Sequence, residues 1–195
     1  MSATVPGLLL LGLAIGAPPP EPVGASRSLE TPRLAAGDRA PAFKLRGLDQ
    51  SLVRLDELAY PGPEKRWAKK RPVLVDFFRT DCGPCRAAMP ELVALHHAYQ
   101  ARGLKVLVVA LLEPEDGRAK LERYLAEQKL PLTVVVDDTE HFAQQYLGKT
   151  VALPATFLID REGTLRRVKH GNKGSLKETF ESVIAGLVSS AEVGP

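Results

Sequence analysis

The sequence predicts an α/β fold, a mixed central sheet flanked by helices on both sides, and three observations predict it. Residues 73–78 (VLVDFF) and 104–112 (LKVLVVALL) are nearly unbroken apolar runs, as in parallel strands covered on both faces. Segments with apolar residues at helical spacing follow each of them. Near the end, residues 156–159 and 165–168 flank Asp160-Arg161-Glu162-Gly163, which reads as a hairpin turn, and a closing amphipathic helix comes after. A hairpin added to parallel strands makes the sheet mixed.

The 195 residues suit one domain with appendages, and 45% hydrophobic residues suffice for a core. The net charge of +3 implies no electrostatic footprint for nucleic acid. Residues 8–17 (LLLLGLAIGA) are too short for the ~20 apolar residues of a spanning helix. They have the length of a signal-peptide core, and Val23-Gly24-Ala25 offers a small-residue cleavage site, although no basic residue precedes Arg27. Residues 1–25 therefore read as a signal-peptide-like or anchor segment. The expected location is periplasmic or otherwise extracytoplasmic, with membrane association through this segment if it is retained. Residues 18–36 are rich in Pro, Gly, Ala and Ser, and 26–36 read as a flexible linker. The domain itself spans 37–190, and 191–195 form a tail.

Within the domain, 42–45 and 52–55 are short alternating runs around Gly47-Leu48-Asp49-Gln50, an N-terminal hairpin. A loop over 60–71 carries five basic residues around Trp67, the sole tryptophan. It reads as a solvated charged loop, with a docking patch for an acidic partner as the alternative. After the 73–78 strand, Leu92, Leu95 and Tyr99 lie at helical spacing, and Gly103 ends that helix. Pro114 marks the next helix start, with Leu121, Tyr124 and Leu125 as its buried stripe. Residues 132–136 form a β-branched strand, and 139–146 a short helix. Ser175 and Glu178 make a capping box for the last helix, whose inner face holds Leu176, Phe180, Val183, Ile184 and Leu187.

The chemistry concentrates just after the central strand. Cys82-Gly83-Pro84-Cys85 opens a helix and contains the chain's only two cysteines. At that spacing one sulfur is exposed in the first turn and the other lies behind it, close enough to bond. The orphan N–H groups and dipole of a helix N-terminus favour the outer thiolate, so the motif reads as a redox dithiol with Cys82 as nucleophile. Cys85 would resolve the mixed disulfide from inside. Asp76, held between apolar neighbours and poorly solvated, is the candidate acceptor for the Cys85 proton.

VLVDFFRTDCGPCRAAMP resembles the active-site segment of the thioredoxin superfamily: an acid six residues before the first Cys, Gly-Pro inside the motif, and a proline five residues after the second Cys. Residues 37–45 (GDRAPAFKL) and 153–160 (LPATFLID) resemble the TlpA/ResA-like thiol–disulfide oxidoreductases. The resemblance covers residues 37–187. It implies a thioredoxin-like fold with an N-terminal hairpin and a central helical insertion. It also implies that Asp76 serves the inner thiol, and that Pro154 is a cis-proline facing the dithiol. Leu153, Pro154, Gly83 and Pro84 would then meet the substrate. No cofactor beyond the Cys82–Cys85 disulfide is implied. The partners would be protein disulfide clients and an upstream thiol donor, with the chain itself a monomer. Gly-Pro between the cysteines points to a reductant, by resemblance to thioredoxin at ~−270 mV rather than a strong oxidase at ~−120 mV.

Two positions depart from that pattern. Ala88 stands where TlpA/ResA-like proteins usually carry glutamate. Asp81 replaces the usual tryptophan before the first cysteine and puts a negative charge beside the nucleophile, where it would modulate Cys82. Two other readings use the same residues. A Cys-x-x-Cys can hold zinc or copper, yet it needs two further ligands. His96 lies about 16 Å along the helix from Cys85, and His141 and His170 show no ligand spacing. A redoxin-type thiol peroxidase needs threonine three residues before its cysteine, where this chain has Arg79.

Overall fold

The computed structural model describes Met1, residues 34–60 and residues 70–189. The leader, most of the linker, the basic segment around Trp67 and the tail lie outside the described residues. Seven strands form one sheet: β1 (Lys44–Arg46), β2 (Leu52–Arg54), β3 (Val73–Phe78), β4 (Lys105–Leu111), β5 (Thr133–Asp137), β6 (Ala155–Ile159) and β7 (Leu165–His170). Their spatial order is β2-β1-β5-β4-β3-β6-β7. β3 and β5 both run parallel to β4, while β6, β7, β1 and β2 pair antiparallel with their neighbours. The sheet is therefore mixed, as the sequence predicts.

The helices are α1 (Leu55–Leu58), α2 (Gly83–Tyr99), α3 (Gly117–Gln128), α4 (His141–Leu147) and α5 (Leu176–Ser189). Side chains alternate across a strand, so the five apolar residues of β3 feed two separate cores. Val73, Val75 and Phe77 join Leu107, Val109, Phe157 and Tyr146 of α4 on one face. Leu74 and Phe78 join Cys85, Met89 and Leu92 of α2 and Phe180 and Ile184 of α5 on the other. Each fully buried Val, Leu or Phe contributes roughly 1.5–3 kcal/mol, which is why the all-apolar runs take the central places.

Local chemistry ends each element. Gly103 takes a left-handed conformation at the end of the 3-10 turn that follows α2. Asp137, buried at the end of β5, accepts the N–H groups of Phe142 and Ala143 at 3.0 and 2.8 Å and so starts α4. In the β6–β7 turn, Asp160 accepts from Glu162 and Thr164 at 3.0 and 2.8 Å. Gly163 there has φ of +85°, and a Cβ would lie 2.5 Å from the Tyr60 ring. Only glycine fits that place.

Three expectations need correction. Leu55 belongs to α1 rather than to the second hairpin strand, because its side chain turns inward and is fully buried. Pro114 lies in a turn, and α3 starts three residues later at Gly117. Lys70, at the end of the basic loop, is buried and not solvated. Its ammonium donates to the carbonyl oxygens of Asp56 and Ala59, the latter at 2.9 Å.

Candidate active site

β3 delivers the chain to the C-terminal edge of the sheet, a three-residue turn follows, and Cys82 becomes the N-cap of α2. Pro84 fits the first turn because the N–H it lacks would have no helical partner there. Cys85, one turn in, is fully buried, whereas Cys82 is partly exposed. The two are joined as a disulfide with 5.3 Å between their Cα atoms. The Cys85 N–H donates to the Cys82 sulfur at 3.2 Å. That bond would strengthen on a thiolate, since a charged acceptor roughly doubles a hydrogen bond.

On the face of β3 that packs with Cys85, between Leu74 and Phe78, lies Asp76, 1% exposed. Burial pushes its carboxyl up to about 7, against the lowering effect of a 2.7 Å hydrogen bond from the Thr156 hydroxyl to Oδ1. Oδ2 has no partner. The Leu153–Pro154 peptide is cis. Pro154 shares a cavity of about 190 Å³ with Pro84, Ala87, Ala88 and Thr156. Of the residues that the sequence singles out, Cys82, Cys85, Gly83 and Pro84 lie together at the head of α2, and Pro84 meets Pro154 across this cavity. Leu153 packs, partly buried, against both cores. Ala88, in the place of the expected glutamate, gives the cavity a small apolar wall.

Asp81 does not stand alone beside Cys82. The Arg79 guanidinium holds its carboxylate at 3.1 Å and reaches Glu140 at 3.8 Å. Part of the negative field at Cys82 is thereby cancelled.

Sequence reasoning missed Glu113. It lies just beyond β4, 8% exposed, and its Oε1 accepts from the Thr80 hydroxyl and from the Asp81 N–H at 3.0 Å. Burial disfavours its charge, but these donors, together with its own N–H and the Lys120 charge, outweigh burial and hold the carboxyl below its usual range. Glu113 thus ties down the turn that presents Cys82. One signal was available: an acid ending an apolar parallel strand lies at the edge where open α/β sheets place their sites.

A family model described as the AhpC/TSA family matches residues 36–168. The chain belongs to the AhpC/TSA family. It is 30% identical over 179 residues to the thiol-disulfide oxidoreductase ResA of Geobacillus thermodenitrificans, covering 90% of this chain and 91% of that protein. A Chlorobium tepidum structure assigned as a thiol:disulfide interchange protein of the DsbE type superposes with a TM-score of 0.64. It is 29% identical, over 80% of this chain and 99% of that one. A thiol:disulfide interchange protein from Bacteroides sp., 22% identical with a TM-score of 0.62 over 83% of this chain and 95% of that one, shares the fold. This AhpC/TSA member is thus a thioredoxin-superfamily oxidoreductase of the thiol–disulfide class. No described helix is long and apolar enough to cross a membrane. Among the described residues no three His, Cys, Asp or Glu side chains group to hold a metal ion.

Proposed function

We propose that the chain reduces disulfides of extracytoplasmic protein clients through Cys82 and Cys85, acting as a monomer and recharged by an upstream thiol donor. One observation carries this reading: a partly exposed sulfur at a helix N-terminus, bonded to a buried sulfur that packs on the same sheet face as a buried carboxyl. In the reduced protein the Cys82 thiolate attacks a client disulfide, forming a mixed disulfide and releasing one client thiolate. The Cys85 proton then passes to Asp76. Cys85 Sγ bonds to Cys82 Sγ, the bond from Cys82 to the client breaks, and the second client sulfur leaves as a thiolate protonated by solvent. The client gains two electrons and the dithiol loses them. No cofactor beyond the cysteine pair enters.

Pro84 and Pro154 border the same cavity, which supports a client strand resting between the Cys motif and the Leu153-Pro154 loop, with Gly83 leaving the sulfur accessible. The leader sequence supports export. Arg79, paired with Asp81, occupies the position where the peroxidase reading needs a threonine, so disulfide exchange is favoured over peroxide reduction. The test is trapping: Cys85→Ser should accumulate client proteins in mixed disulfides on Cys82, while Cys82→Ser should trap none. The opposite pattern reverses the two roles.

A further inference from the structure

The strand register places Asp76 of β3 opposite Thr156 of β6, and Thr156 opposite Lys169 of β7. Residues directly opposite share a sheet face, so the three form a polar row on the face that α2 and α5 cover. The row begins at the buried carboxyl and runs out to the 190 Å³ cavity, whose wall includes both Thr156 and Lys169. Thr156 therefore touches both ends: its hydroxyl holds Asp76 Oδ1 at 2.7 Å, and it borders the cavity. Among the described residues Oδ2 is left without a partner.

We propose that Thr156 is a positioning residue for disulfide exchange, whose hydroxyl orients the Asp76 carboxylate, leaves Oδ2 to take the Cys85 proton, and links the acid to solvent entering the cavity. This rests on the reading of Asp76 as the proton acceptor. The titratable groups that neighbouring elements bring toward this spot are already engaged. α2 contributes Cys85 and Glu91, and the Glu91 carboxylate accepts the Leu176 and Lys177 N–H groups. β7 contributes Lys169, whose Nζ donates to the carbonyls of Gly171 and Lys173 at 3.0 and 2.7 Å. β4 places apolar Val108 opposite Asp76, and α5 faces this side with Leu176 and Phe180. Thr156 is thus the group positioned to set the proton affinity of Asp76.

A hydroxyl donating to a carboxylate favours the ionised form. Its removal should move the titration of Asp76 upward by about one to two pH units. The experiment follows the reduced full chain reacting with dithiobis-nitrobenzoate. The first release of thionitrobenzoate reports attack by Cys82, and the second reports resolution by Cys85. Thr156→Val, nearly the same shape without the donor, should shift the pH midpoint of the second release upward by that amount and leave the first unmoved. Thr156→Ser should restore the midpoint. An unmoved midpoint in Thr156→Val overturns the proposal, and loss of the pH dependence in Asp76→Asn would then show that the acceptor reading survives without it. Should Asp76→Asn leave the second release unchanged at every pH, both fall together. If Thr156→Val does not fold, a carbon NMR titration of the Asp76 carboxyl in oxidised Thr156→Ala decides: an upward shift supports the role, and an unchanged one overturns it.

Discussion

With its carboxyl buried and one oxygen lacking a donor, Asp76 keeps its proton to about 7 in the folded chain, whereas an unperturbed aspartate releases it near 3.8. Between those two values the folded chain binds more protons than the unfolded one. Stability therefore falls as pH rises through that window, and the loss is complete above about 7. The full cost is on the order of 4 kcal/mol. Asp76→Asn removes the titration and leaves a buried amide, a penalty that does not vary with pH. We expect the stability of the variant relative to the native chain to rise by about 3 kcal/mol between about pH 4.5 and about pH 8. Urea denaturation of the oxidised protein at the two values measures it. A gap that stays constant would mean that Asp76 does not titrate in this window.

At the scale of elements, α5 has two caps of different origin. Ser175 and Glu178 bond each other's backbone N–H groups at 3.0 and 3.3 Å, the reciprocal box that the sequence spells out. Glu91 of α2 reaches across and accepts from Leu176 and Lys177 at 2.7 and 3.2 Å. Its charge faces the positive end of the helix. Glu91→Ala should cost about 1–2 kcal/mol, at least as much as Ser175→Ala, and should speed amide exchange at Leu176 and Lys177. Unchanged stability and exchange would make the contact incidental. The pair also shows what was legible in the sequence. The box lies within four consecutive residues, so spacing alone reveals it; Glu91 and Leu176 are 85 positions apart, and only packing brings them together. The same divide runs through the site. Cys82 and Cys85 could be read because helix-start chemistry is local, and Asp76 because its own neighbours are apolar. Glu113 depends on a turn 32 residues away, and Thr156 on strand register, so neither announces itself. The helix α1 escaped because four residues are too few to show a period.

At the scale of the whole molecule, redox state and stability are linked, because Cys85 packs inside the core formed with Leu74, Phe78, Met89 and Leu92. If folding shifts the dithiol's potential, the oxidised and reduced forms must differ in stability by the same free energy, about 1.4 kcal/mol for each 30 mV. A reductant's fold favours the disulfide, and an oxidant's fold favours the dithiol. Two effects oppose each other here. Closing so short a loop restricts the unfolded chain and favours the oxidised form by about 2 kcal/mol. Reduction lets the Cys85 N–H and the helix dipole act on a full thiolate at Cys82, which favours the reduced form by about 0.3–1 kcal/mol. The first effect is the larger. The oxidised protein should therefore unfold at a higher urea concentration than the dithiothreitol-reduced protein, by about 1–2 kcal/mol in stability. A reversed order, with the reduced form the more stable, would mean that this fold drives exchange toward disulfide formation in its clients.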